Sequence, residues 1–161
     1  MNQSEEFRSA MRKWTAGVAI ATCIADETPH GMTVNSFTSV SVDPPMVTVT
    51  MAKATRTLQK TLASGCFGIT ILSLDQKWIA DRFADKEEYP LNRFDGLATF
   101  TMLSGVPFIE DGLAFFDCKV EHSFEMAQSV LLVGRVLSIR EGKGTENLVY
   151  TNRRYGGVLL I

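Results

Sequence analysis

From Met32 to Val42 the chain alternates with period two, and it then stops on Asp43-Pro44-Pro45. Met32, Val34, Ser36, Thr38, Val40 and Val42 fall on one face of that run, and Thr33, Asn35, Phe37, Ser39 and Ser41 on the other. The pattern predicts one strand over 32–42. Its first face is largely apolar and can lie on a core. Its second face carries an amide and three hydroxyls around a single aromatic ring. A polar strand face can be simply the wet side of a sheet. Here, though, the small Ser and Thr side chains would let a flat ligand approach the backbone, and their hydroxyls both donate and accept. Neither proline can donate to a ladder, so the strand ends there.

The rest of the chain is strand-rich. Ser4 can cap a first helix with Phe7, Ala10, Met11 and Trp14 on one stripe, and Gly17 is a candidate C-cap. That stripe reads as core or interface. Val18–Ile24 is a continuous apolar strand, and Asp26–Gly31 a turn that folds it back as a hairpin. Met46–Met51 alternates Met and Val with Thr. It runs into Lys53-Ala54-Thr55-Arg56, where Thr55 sits at the N-cap of a helix over 57–64 that carries Leu58 and Leu62 on one face. A strand ending at a capped helix beside two cations is a ready anion site, or merely a capped helix with solvated charges.

Cys66–Leu72 is another buried strand, and Ser73-Leu74-Asp75-Gln76 a capping box opening a short helix with Trp78, Ile79, Arg82 and Phe83. Residues 85–92 read as a charged surface loop. Strands follow over 97–102, 113–124 and 130–139. In the second of these Ala114, Phe116, Cys118 and Val120 share a face, and His122 sits near its polar end. Asn152-Arg153-Arg154-Tyr155-Gly156-Gly157 closes the chain. Many strands at short spacing with few, brief helices predict a mostly-β barrel rather than a doubly wound sheet.

Composition excludes several functions. A chain of 161 residues with 45% hydrophobic and 21% charged residues is a soluble globule, most naturally one domain over 1–161. A net charge of -2 leaves no basic footprint for nucleic acid. No apolar run approaches the ~20 residues that span a bilayer, and no signal-peptide pattern opens the chain. Cys23, Cys66 and Cys118 are odd in number and far apart, which points to reduced structural thiols in the cytoplasm. There is no G-x-G-x-x-G after a strand, no phosphate loop, no G-x-S-x-G and no H-E-x-x-H. With only two histidines, neither near a second metal ligand, hydrolysis by triad or metal is disfavoured.

The run Gly31-Met32-Thr33-Val34-Asn35-Ser36-Phe37-Thr38-Ser39-Val40-Ser41-Val42-Asp43-Pro44-Pro45 resembles the signature of the flavin reductase-like, FMN-binding split-barrel family, and the likeness extends from about Phe7 to Tyr155. The resemblance implies a split β-barrel, mostly β with short helices, that forms a homodimer. It implies an NAD(P)H:flavin oxidoreductase that uses NADH or NADPH to reduce FMN or FAD and supplies a separate oxygenase component. A flavin carrier of the same fold, with little NAD(P)H turnover, is the alternative. It places the ring edge and ribityl chain against Thr33, Val34, Asn35, Ser36, Ser39 and Val40, and the phosphate at Lys53, Ala54 and Thr55. Phe83, Arg93 and Tyr155 match further flavin-binding positions.

Flavin chemistry needs no proton-transfer side chain, so no catalytic residue is assigned. One motif departs from the family. Where many members carry Gly-x-His, this chain reads Ala127-Gln128-Ser129, so Ser129, with Arg154, marks the expected nicotinamide side. His122 is seven residues away, an offset that puts it on the opposite face of a continuous strand.

Overall fold

The computed structural model describes residues 2–84 and 92–161. Helix α1 (Gln3–Met11) is opened by Asn2, not Ser4. The Asn2 side chain accepts the Glu5 N–H, and Glu5 accepts the Asn2 N–H, each at 3.0 Å. The helix ends at Arg12, well before Gly17, because Ala16–Gly17 is taken up as a short strand, β1, that pairs with Val149 and Tyr150. Phe7, Met11 and Trp14 are 65%, 49% and 69% exposed, so the stripe faces away from this chain's own core.

Strands β2 (Ala19–Ala25) and β3 (Thr28–Val34) form a hairpin whose turn is only Asp26-Glu27, both at positive φ. Two central residues in that region match the right-handed twist of the flanking strands. The ladder therefore starts at Thr28, and the last four of the six residues of the expected turn are strand.

The predicted continuous strand over 32–42 is broken. β3 ends at Val34, and β4 (Thr38–Val42) starts after a three-residue step. Ser36 is the reason: its Oγ donates to Thr50 O and accepts the Thr50 N–H, both at 3.0 Å, and so turns the chain onto β5 (Pro45–Ala52). A bulge between Ser39 and Ser41 then shifts the register of β4 on β5. Val34 is buried, but Val40 and Val42 face solvent, so the expected apolar face is lost at its far end.

Helix α2 (Arg56–Ser64) is capped by Thr55 and ended by Gly65 at φ 76°; Leu58 is buried and Leu62 exposed. β6 (Cys66–Ile71) follows, then a 3₁₀ turn over Leu74–Gln76 and α3 (Lys77–Phe83). The Ser73–Gln76 box forms, with the Ser73 N–H donating to Gln76 Oε1 at 3.1 Å. The predicted 85–92 loop lies outside the described residues except for Asn92. The predicted 97–102 strand shrinks to β7 (Thr99–Thr101), which pairs with β8 (Pro107–Ile109). A long hairpin of β9 (Ala114–Glu125) and β10 (Ser129–Glu141) comes next, and β11 (Val149–Thr151) and β12 (Arg154–Gly156) join β1 in a small sheet.

The main sheet is antiparallel with strand order β3-β2-β6-β9-β10-β5-β4. Alternate residues of its strands fill one core, around Val49, Met51, Phe67, Ile69, Cys118 and Leu132. A second core of Val18, Ile20, Leu72, Ile79, Phe83, Phe94, Ile109 and Leu148 lies under α3. The three cysteines are free, and burial raises all three thiols above their ordinary range. Among the described residues no helix is long and apolar enough to cross a membrane.

Candidate functional site

A cleft of about 870 Å³ lies between β3, the start of α2, and the segments Phe83–Ala84 and Asn92–Phe94. Its floor is Thr28–Thr33. Three hydrogen bonds tie that floor to α3: Thr33 Oγ1 donates to Ala80 O at 2.6 Å, and Arg93 Nη1 donates to both Gly31 O (2.9 Å) and Phe83 O (3.2 Å). Gly31 has to lack a side chain, because a Cβ there would stand 2.8 Å from the Phe83 ring. Phe83 itself meets Phe94 edge-on at 5.0 Å. It is buried in the second core, so most of its ring is spent on packing although it also lines the cleft.

The opposite wall is the first turn of α2. Thr55 Oγ1 accepts the Leu58 N–H at 3.3 Å and donates to Ala52 O at 2.8 Å. Helix-initial N–H groups have no intrahelical acceptor, and Arg56 and Thr57 present theirs beside the cleft under the positive end of the helix dipole. The level of that turn on the hairpin is fixed by Cys23, which faces His30 across the ladder and whose Sγ donates to Thr57 O at 3.6 Å. One helical turn on, Lys60 Nζ reaches Asp26 at 3.5 Å. Thus α2 runs beside the hairpin from His30 toward its turn. Burial, then Lys60 and Arg56, push the His30 imidazole below its usual pKa. Arg56 and the first turn of α2 give this end of the cleft a wall that favours an anion.

Of the expected positions, Thr33, Ala54, Thr55, Phe83 and Arg93 converge on this cleft. The others do not line it. Val34 is buried in the main core, and Asn35 lies exposed just past the floor. The Ser36 hydroxyl is fully engaged by Thr50. Ser39 and Val40 are exposed on β4, at the other edge of the sheet.

Lys53 points elsewhere: its Nζ pairs with Glu125 at 2.9 Å and its N–H donates to Gln128 O at 3.0 Å, which ties the β9–β10 turn to the β5–α2 turn. Ser129 begins β10 opposite Ala52, close to that junction. Arg154 is exposed on β12, and Tyr155 packs against Tyr150 with Lys77 over its ring. His122 is exposed on β9, whereas Ser129 is on β10, so the offset along one strand does not relate them. His30, Thr57, Asn92 and Phe94 join the cleft without having been singled out as ligand residues. The β2–β3 register and the crossing of α2 bring His30 and Thr57 there, and the packing of Phe94 on Phe83 brings Asn92 and Phe94.

Thr55→Ala tests the helix wall. Loss of the cap is expected to cost about 1 kcal/mol, read from denaturant unfolding. Flavin affinity should fall severalfold; unchanged affinity in the folded variant would move the phosphate away from this turn.

The flavin reductase-like domain model matches residues 11–159, nearly the whole chain. The chain belongs to the flavin reductase-like family. It is 32% identical over 158 residues to the NADH-dependent flavin reductase StyB of Pseudomonas fluorescens, covering 94% of this chain and 88% of that one. To the FMN reductase (NADH) SmoA of Agrobacterium fabrum it is 34% identical, covering 95% and 85%. The solved flavin reductase PheA2 superposes with a TM-score of 0.89 at 31% identity, covering 99% and 100%. The chain spans 47% of the length of a Rhizobium meliloti relative named as a flavin reductase, to which it is 34% identical over 150 residues. These neighbours give the seven-stranded sheet its place as a flavin reductase fold, the mostly-β class expected from the strand spacing.

Proposed function

We propose that this flavin reductase-like protein oxidises NADH and passes the hydride to a flavin, FMN or FAD, held in the cleft beside α2. The observation that carries this reading is the convergence of Thr33, Ala54, Thr55, Phe83 and Arg93 on one cleft at the N-terminus of α2. When bound, the flavin supplies the hydride-accepting ring. The chain supplies position: hydride transfer needs the two reacting atoms roughly 3–3.5 Å apart, and rigid walls hold that geometry. Helix α2 and Arg56 hold the phosphate end. Arg93, bonded to two carbonyls, keeps β3 and α3 at a fixed spacing. The buried Phe83–Phe94 pair keeps that wall dry and still.

The same reading makes the protein the reductase half of a two-component system. A homologous subunit of Mycobacterium tuberculosis is named the reductase subunit of a flavin-dependent monooxygenase. A homodimer is part of the proposal, supported by the exposed Phe7, Met11 and Trp14 and by the apolar residues Val158–Ile161, which also face solvent. The free thiols fit a reducing, cytoplasmic location.

The test is loss of the nicotinamide absorbance band for NADH and NADPH, each with FMN, FAD or no flavin. Flavin-dependent turnover is expected, with NADH the better donor. Tight flavin binding without turnover would overturn the reductase reading in favour of a carrier.

A further inference from the structure

We infer that Cys23 is a positioning residue for the anion end of the cleft: its thiol, together with Thr61, sets where the first turn of α2 stands beside the floor. The inference rests on the flavin reading above and goes beyond it by naming the groups behind the wall that place the phosphate ester.

The buried face of α2 is small and largely polar. Its buried residues are Thr57, Leu58 and Thr61. Leu58 shares the main core with Ala21 of β2. Apolar burial of that kind is non-directional, so it holds the helix down without fixing its height or its rotation. The directional contacts go to Cys23. Its Sγ donates to Thr57 O at 3.6 Å. Thr61 Oγ1 is buried with no hydrogen bond of full geometry, yet its hydroxyl acts on the same thiol, lowering its pKa against the larger rise from burial. Thr57 and Thr61 are four residues apart, so they share a face and lie ~6 Å apart along the helix axis. One sulfur thus meets the helix at two levels, which fixes both its height and its turn.

A thiol is suited to this double contact, because it is a weak donor and a weak acceptor at once. Cys23 is fully buried and does not line the cleft, so it works from behind the wall. Thr57, whose carbonyl it holds, does line the cleft, beside Thr55 and Arg56. Across the ladder Cys23 faces His30, which lies on the floor. The same residue therefore sets the helix wall against the floor. Backbone N–H groups at the start of α2 hold an anion only within hydrogen-bond reach, about 2.7–3.2 Å. A shift of the helix by a few tenths of an ångström loosens the phosphate end and leaves the Thr33 and Arg93 side of the cleft as it was.

The experiment is equilibrium titration with riboflavin and FMN, which differ only by the phosphate, for the parent, Cys23→Val, Cys23→Ser and Thr61→Val, with thermal unfolding of each. The parent is expected to prefer FMN. Cys23→Val removes both donor and acceptor. It should cut that preference about fivefold, the scale of one hydrogen bond, while riboflavin affinity moves by less than about twofold. Cys23→Ser keeps a donor and an acceptor and should restore most of the preference. Thr61→Val should lower it in the same direction, and it carries the test if Cys23→Val does not fold. A lower melting temperature with the parent's FMN preference, in Cys23→Val and in Thr61→Val, would make the seat merely structural and overturn the inference. Equal loss of riboflavin and FMN would also overturn it, because the seat would then act on the whole cleft. A parent that binds riboflavin as tightly as FMN would instead take the phosphate away from α2, and this inference would fall with that part of the flavin reading.

Discussion

Arg93→Met is expected to lower flavin affinity at least tenfold and to destabilise the fold by about 3 kcal/mol, from two charge-assisted hydrogen bonds lost at ~1.5–3 kcal/mol each and a stem that still packs. Arg93 Nη1 holds Gly31 O on the cleft floor and Phe83 O at the end of α3. Methionine keeps the apolar length and removes the donors, which leaves two carbonyls at a partly buried place without them. The floor and the α3 wall then lose their fixed spacing, even though the helix wall of the cleft is untouched. The check is a pair of curves, denaturant unfolding and flavin titration, on the same preparation. A folded variant with wild-type flavin affinity would show that the α3 side of the cleft is not part of the site.

Gly134→Leu is the second large effect. A Cβ at Gly134 would lie 2.5 Å from Phe67 Cζ, 2.7 Å from Cε1 and 3.2 Å from Cys118 Cβ. Phe67 is fully buried between β6, β9 and β10, so its ring has nowhere to go. Overpacking at such a site costs about 3 kcal/mol or more, which for a chain of this size lowers the melting temperature by roughly 10 °C. The strand already deviates there, since a register shift separates Val133 from Gly134 against β9. Adding Phe67→Leu to Gly134→Leu should recover part of the loss by making room. If Gly134→Leu alone melts like the parent, the close approach of β10 to Phe67 is wrong.

Much of the architecture was legible in the residues because it is local. Alternating Val and Met with Thr marks β5, Thr55 and Gly65 bracket α2, and Ser73–Gln76 opens the turn before α3. What was not legible depends on distant contacts. Nothing in the alternation of 32–42 announces that Ser36 will reach Thr50 and divide the strand, because a serine on an apolar face looks the same whether or not a backbone partner meets it. Lys53 looks like a phosphate cation beside Thr55 until β9 brings Glu125 to it. Phe83 fits a ring contact and a packed helix face equally by spacing, and in the structure it both packs on Phe94 and lines the cleft. His30 is unremarkable in a turn-like stretch; it becomes a cleft residue only when α2 crosses the hairpin.

The strand order also governs when the molecule can come together. β5 and β6 are neighbours in the chain, with only α2 between them, yet in the sheet the whole β9–β10 hairpin stands between them. As the chain leaves the ribosome, every segment of the cleft, from Thr28 to Phe94, is made before the hairpin that will hold its two halves in one sheet. Until residues 114–141 emerge, β5 and β6 each carry an unpaired edge, and the apolar faces that meet Leu132 and Cys118 stay uncovered. The cleft is thus synthesised first and aligned last. A chain stalled or truncated before β10 would carry the cleft's own residues without the central strands that position them, and would behave as an aggregation-prone fragment rather than a smaller enzyme.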